Sequence, residues 1–242
     1  MSPRHVVLVH GAWHGAWCWA ALQAELENRG IASLAIDLPG HGTSTAAFTD
    51  LHGDAATVVE LLERLAARGI ENPVLVGHSY GGAVITEAAG RFDRVSHLVY
   101  VAAFALDQGE SVISALGSFG RVSNALDAAV RQHDDGTSTI DPARAKEAFY
   151  GSCSDEIARA AVARLCPQPA ATVMQPTAGN PRERIASTYV ICERDQAVAL
   201  EHQRAMAARC GNAVSFDTDH SPFASMVVET ADLLERIARD SA

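Results

Sequence analysis

The sequence predicts an α/β protein built as a mostly parallel, doubly wound sheet with a small helical cap insertion. Three observations predict it. Short apolar runs at residues 6–9, 73–76 and 95–101 alternate with amphipathic stretches of helical period. Continuous apolar character, rather than strict alternation, marks strands buried on both faces, as in parallel sheets. The rhythm breaks past Ala105 and resumes near Ser187, and 242 residues suffice for one domain with an insertion.

The elements follow in order. Residues 6–9 read as the first strand, and 17–28 as a helix stopped by Gly30. Residues 31–36 form the second strand, closed by Asp37-Leu38-Pro39-Gly40-His41-Gly42. A long helix over 51–68 places Ala55, Val58, Val59, Leu62 and Leu65 on one side. With strands at 73–76 and 95–101 this completes the first part of the core, residues 1–106. Residues 107–185 contain no long β-like run but hold short helical patterns and most of the prolines, and are read as a helical cap. Asp141-Pro142 opens a helix carrying Ala145, Ala148, Phe149 and Tyr150, and Ser154 opens another to about residue 165. Pro167, Pro169 and Pro176 enforce an extended return. Residues 186–242 supply the second part of the core, with strands at 187–192 and 213–216 and helices at 200–209 and up to residue 239.

Composition narrows the function classes. The net charge is −10 and Lys146 is the single lysine, so nucleic acid is not an expected partner. The apolar run after Met1-Ser2-Pro3-Arg4-His5 is too short for a signal-peptide core or a membrane span. Cys18, Cys153, Cys166, Cys192 and Cys210 are odd in number and contain no Cys-x-x-Cys, so reduced thiols in the cytoplasm are expected.

The chemistry is carried by Val74-Leu75-Val76-Gly77-His78-Ser79-Tyr80-Gly81-Gly82, which runs into a helix-compatible stretch. Strand, sharp turn and helix leave Ser79 at an exposed, strained apex, with small residues required two before and two after. A serine nucleophile needs a histidine base held by a carboxylate. His220 follows the last strand and Asp195 the strand before it, so Ser79, Asp195 and His220 have the chain order of a triad on an α/β sheet. Asp219 and Glu193 are the alternative orienting carboxylates, and His78 is read as a packing residue. The oxyanion donors are expected to be the backbone N–H groups of Tyr80 and of Ala12, in the loop after the first strand. Gly11 in that loop is read as small enough to admit substrate. His10 and His14 lack a carboxylate third ligand, so no metal is expected. No Gly-x-Gly-x-x-Gly follows the first strand, and no cofactor is expected.

Residues 7–19, 77–82 and 189–203, with Asp219-His220 and 148–167, resemble the α/β-hydrolase superfamily. The resemblance is closest to the branch of plant methylesterases, the salicylate-binding methylesterase and plant α-hydroxynitrile lyases. It implies a compact cap, no cofactor and hydrolysis of small esters. The lyases of that branch carry threonine where this chain has Gly11, and lysine where it has Ser221, which favours the esterase. The loop Asp37-Leu38-Pro39-Gly40-His41-Gly42 instead resembles bacterial hydrolases.

The expected activity is therefore cleavage of a small-molecule ester, thioester or lactone through an acyl-enzyme. Gly11, Trp13, Phe149 and Tyr150 are the expected substrate contacts, with Phe119, Leu165 and Met174 as further walls. A non-catalytic small-molecule receptor, a hydroxynitrile lyase and a cofactor-free dioxygenase or perhydrolase remain alternatives on the same scaffold.

Overall fold

The structure is a computed structural model describing residues 4–120 and 122–241; Met1, Ser2 and Pro3, with which the reading of the N-terminus begins, lie outside them. The apolar runs become strands β1 (Val6–Val9), β2 (Ser33–Ile36), β3 (Val74–His78) and β4 (His97–Val101). Helices α1 (Ala20–Asn28), α2 (Leu51–Ala66) and α3 (Tyr80–Arg91) connect them. Helix α2 begins where the Asp50 side chain accepts from the Gly53 N–H, and it buries Leu51, Ala55, Val58, Leu62 and Leu65. Helix α1 starts later than its pattern suggests, because Ala16–Trp19 forms a 3-10 turn first. It ends at Gly30 (φ 73°), where the Ile31 N–H returns to Leu26 O at 2.9 Å. That closure delays β2 to Ser33.

Between β4 and the next core strand lie α4 (Val112–Phe119), α5 (Ala125–Ala129), β5 (Val130–Gln132), β6 (Thr137–Ile140), α6 (Pro142–Phe149), α7 (Asp155–Val162), β7 (Gln168–Pro169) and α8 (Ala171–Met174). The Asp141 and Ser154 side chains cap α6 and α7 by accepting from Ala143 and Ile157 N–H groups. The insertion is thus helical, as expected, but it also contains an antiparallel sheet of order β5-β6-β7 that the sequence pattern does not announce. Its strands are too short and polar to read as an apolar run.

The core resumes with β8 (Ala186–Cys192), α9 (Leu200–Ala207), β9 (Asn212–Phe216), α10 (Pro222–Ser225) and α11 (Val227–Asp240). The main sheet has order β2-β1-β3-β4-β8-β9, parallel at each pairing. Alternate side chains feed two cores. Val7, Val9, Leu75, Leu98 and Tyr100 pack under α2 and α3, while Val6, Leu8, Val76 and Val99 pack under α1 and α11. A third cluster, around Ala148, Phe149 and Tyr150, ties the insertion to Trp13 and Trp17. Among the described residues no helix is long and apolar enough to cross a membrane.

The strand order reverses between β1 and β3, and Val9 pairs with Gly77 across that point. Loops leaving adjacent strands there diverge to opposite faces, opening a crevice at the carboxyl edge where such sheets bind ligands. The loop after β1 and the turn after β3 both end in it.

Candidate active site

Ser79 occupies the turn between β3 and α3 with φ 51° and ψ −121°. A non-glycine residue there is strained, and it persists because its surroundings fix it. The Ser79 N–H donates to Val101 O at 3.1 Å, while the N–H groups of Gly82 and Phe104 donate to Ser79 O at 3.0 and 3.1 Å. A Cβ on Gly77 would stand 2.4 Å from Gly81 O, and one on Gly81 2.5 Å from Val9 O. The small residues flanking the serine are therefore imposed by backbone crossing backbone. Tyr80 is the first residue of α3, so its N–H has no intrahelical acceptor and lies at the positive end of the helix. Its phenol donates to Asp54 Oδ2 at 2.7 Å, and burial raises the Asp54 carboxyl above its ordinary range.

The loop after β1 lies against this turn. A Cβ on Gly11 would come within 2.9 Å of both Ser79 Cβ and His78 Nδ1. Gly11 is thus small to let the serine turn approach, a different reason from the substrate access expected of it. Ala12 is buried, and among the described residues its N–H meets no protein acceptor. Trp13 is held at φ 62°, its backbone N–H donating to Gln168 Oε1 and its indole N–H to Ser138 Oγ, both at 3.1 Å. His10 and His14 are engaged separately. His10 accepts from the Leu38 N–H at 3.1 Å, and His14 Nε2 accepts from the Tyr150 hydroxyl at 2.7 Å. Burial pushes them down to about 3 and about 4 respectively, so both are neutral.

Asp195 and His220 are brought into direct contact. His220 Nδ1 lies 2.7 Å from Asp195 Oδ2, both side chains being buried. The carboxylate fixes the Nδ1–H tautomer and leaves Nε2 as the free base. Asp195 is itself held by the N–H groups of Ala197 and Val198 at 2.7 and 3.0 Å and by Gln203 Nε2 at 2.9 Å. The alternative carboxylates point elsewhere: Glu193 pairs with Arg204 at 3.2 Å, and Asp219 binds neighbouring backbone. The His220 loop reaches back toward the serine turn, where His78 Nε2–H donates to His220 O at 2.9 Å. The His78 and His220 ring centroids are 4.4 Å apart. Burial drives His78 well below its ordinary value. Among the described residues the Ser79 hydroxyl makes no hydrogen bond, so the structure does not join it to the imidazole; the loops that carry the two meet through His78 and His220.

The insertion closes over these groups. The Phe149 ring is 5.7 Å from that of His220 and 6.1 Å from that of Trp13. Tyr150 is buried with its hydroxyl committed to His14, and Leu165 packs at the edge of the same cluster. Met174 does not serve as a wall: it is 65% exposed. Phe119 packs against His202 and Arg209 rather than the serine turn. Surface clefts of about 440 and 350 Å³ lie along β2, lined by Gln23 and Glu27 and by Leu61 and Arg64, away from Ser79, Asp195 and His220.

Gln203, Gln168 and the bond from Tyr150 to His14, a residue weighed only as a metal ligand, escape sequence reasoning. Gln203 shares the buried face of α9 with Met206 and Ala207, and a polar residue at an apolar helical position was the available signal. Gln168 and His14 carried none, because their partners are 155 and 136 residues away.

Residues 6–233 match the model of the Alpha/beta hydrolase family. The chain belongs to this family. An alpha/beta hydrolase of Aspergillus novofumigatus is 27% identical over 100% of this chain and 98% of its own length. A carbendazim hydrolyzing esterase of a Nocardioides strain is 38% identical over 115 residues, 46% of each chain. Two Arabidopsis thaliana proteins carrying the methylesterase name are matched over only 31% and 32% of their lengths. Among solved structures, a pyrethroid hydrolase of Sphingobium faniae JZ-2 superposes with TM-score 0.84 at 24% identity, over 98% of this alpha/beta hydrolase and 97% of its own chain.

Proposed function

We propose that the protein is a serine hydrolase of small carboxylic esters that works through an acyl-enzyme. The observation that carries this reading is the 2.7 Å Asp195–His220 contact at the same sheet edge as the strained Ser79 turn. Esterase and hydrolase names among the relatives support the reaction class. Residues 107–185 act as a cap, with Phe149 and Trp13 as walls of the substrate chamber. The free cysteines suit a reducing, cytoplasmic setting.

Ser79 rotates its hydroxyl to His220 Nε2 as substrate enters, since such contacts tighten on binding. The oxygen attacks the ester carbonyl while His220 takes the proton. Asp195, with its carboxylate held by four donors, stabilises the imidazolium. The N–H groups of Ala12 and Tyr80 receive the oxyanion, and each such donor is worth roughly 10²–10³ in rate. His220 returns the proton to the leaving alcohol, then activates the water that releases the acid. Gly11 and Ser221 disfavour the lyase alternative, because they stand where the lyases of the branch carry threonine and lysine.

Ser79→Ala is expected to abolish both turnover of a short-chain chromogenic ester and labelling by a fluorophosphonate, without change in the thermal melt. A wild-type serine that resists labelling would instead point to the receptor reading.

A further inference from the structure

We propose that Asp219 is a positioning residue that ties the base His220 to the seating of the cap; this rests on the hydrolase reading above. Asp219 is buried and directly precedes His220, yet it is bonded to neither ring nitrogen, since Nδ1 belongs to Asp195. Its two carboxylate oxygens face opposite ways. Oδ1 accepts from the Ser221 N–H and lies against Ser225 Oγ, both at 3.0 Å, with Thr218 Oγ1 at 3.4 Å. Those contacts brace the turn that carries His220 into α10. Oδ2 accepts from the Ser152 N–H at 2.8 Å, and the Cys153 thiol lies 3.9 Å away. Ser152 closely follows Phe149, whose ring lies 5.7 Å from that of His220.

A buried carboxylate costs several kcal/mol unless donors surround it. A neutral side chain could brace one loop at lower cost. What a carboxylate adds is two acceptor oxygens, one for each loop, with no donor of its own. Asparagine in the same place would turn an NH₂ against either the Ser152 or the Ser221 N–H. One side chain therefore sets the base and the cap wall together. With the cap raised, Oδ2 loses its partner and the His220 turn is released, so the enzyme is competent only when the cap is seated.

The test compares Asp219→Asn with Gln203→Leu, which perturbs the acid loop and leaves the Asp219–Ser152 contact intact. Rates on a short-chain ester are divided by active sites titrated with a fluorophosphonate, so lost folding alone changes neither parameter. Asp219→Asn is expected to lower kcat at least about tenfold and raise KM at least about threefold, whereas Gln203→Leu lowers kcat alone. An Asp219→Asn enzyme with KM unmoved overturns the proposal, as does one with both parameters unmoved. Amide exchange on the wild-type protein supplies a second arm if Asp219→Asn does not fold. Segments 150–153 and 218–222 are expected to open with one shared free energy, and separate opening overturns the link. A wild-type protein without esterase activity defeats the hydrolase reading, while the exchange arm still tests the coupling.

Discussion

Gln203 holds the acid loop through four hydrogen bonds. Its Nε2 reaches Asp195 Oδ2, Val198 O and Cys192 O, and its Oε1 accepts from the Cys192 N–H. Removing a hydrogen bond to a charged group costs about 1.5–3 kcal/mol, so Gln203→Leu is expected to reduce kcat by roughly 10- to 150-fold. Steady-state kinetics on titrated enzyme checks this. Gly11→Ala tests the contact between the first loop and the serine turn. Overpacking costs about 1–3 kcal/mol, and fluorophosphonate labelling of Ser79 is expected to slow by at least about tenfold. The contact between Asp195 and His220 was legible because each follows a recognisable strand. Gln203 was hidden because spacing along a helix does not say what faces it. Met174 was misread for a related reason: α8 is only four residues long and turns that side chain outward.

Elements divide by how local their causes are. The serine turn is local in sequence but enforced from outside it. Gly81→Ala would drive a methyl into Val9 O, on a neighbouring strand. That variant is expected to lose soluble, folded protein, measured by circular dichroism, whereas Ser79→Ala is not. Where a side chain caps a helix the cause is local, as at Asp50, Ser111, Asn124, Asp141 and Ser154. Ser154→Ala removes the acceptor for the Ile157 N–H at the start of α7. It is expected to cost about 1 kcal/mol and to lower Tm by roughly 2–4 °C. The Asp141 and Ser154 caps were readable for that reason. The sheet of β5, β6 and β7 was not, although Asp134-Asp135-Gly136 with Gly136 at φ 80° is a hairpin signal. Its short, polar strands gave no periodicity, and β7 joins from residues 168–169, far along the chain.

The whole molecule sets the pH range in which it is stable. His10 and His14 titrate at about 3 and about 4 when folded, against an ordinary 6.5, chiefly because burial removes water from the ring. A depressed histidine binds fewer protons folded than unfolded. Stability is therefore complete above pH 6.5 and falls as pH drops toward 4. Each contributes a loss on the order of 2 kcal/mol by pH 5, and His78 acts in the same direction. Thermal melts at pH 7.5 and pH 5 are expected to show a clear drop in Tm, reduced in a His14→Asn variant.

The sequence by itself determined the alternating strands and helices, the strained turn at Ser79 and the chain order of Ser79, Asp195 and His220. The first two are signalled by neighbours within a few residues, through periodicity and the spacing of small residues, and the third by the strand that each residue follows. Only the tertiary structure decided that Gly11 yields space to the serine turn, that Gln203 braces Asp195 and that Asp219 bridges the His220 turn to Ser152. Those depend on contacts across the sheet edge, and no local pattern along the chain encodes which distant group will complete a buried hydrogen bond.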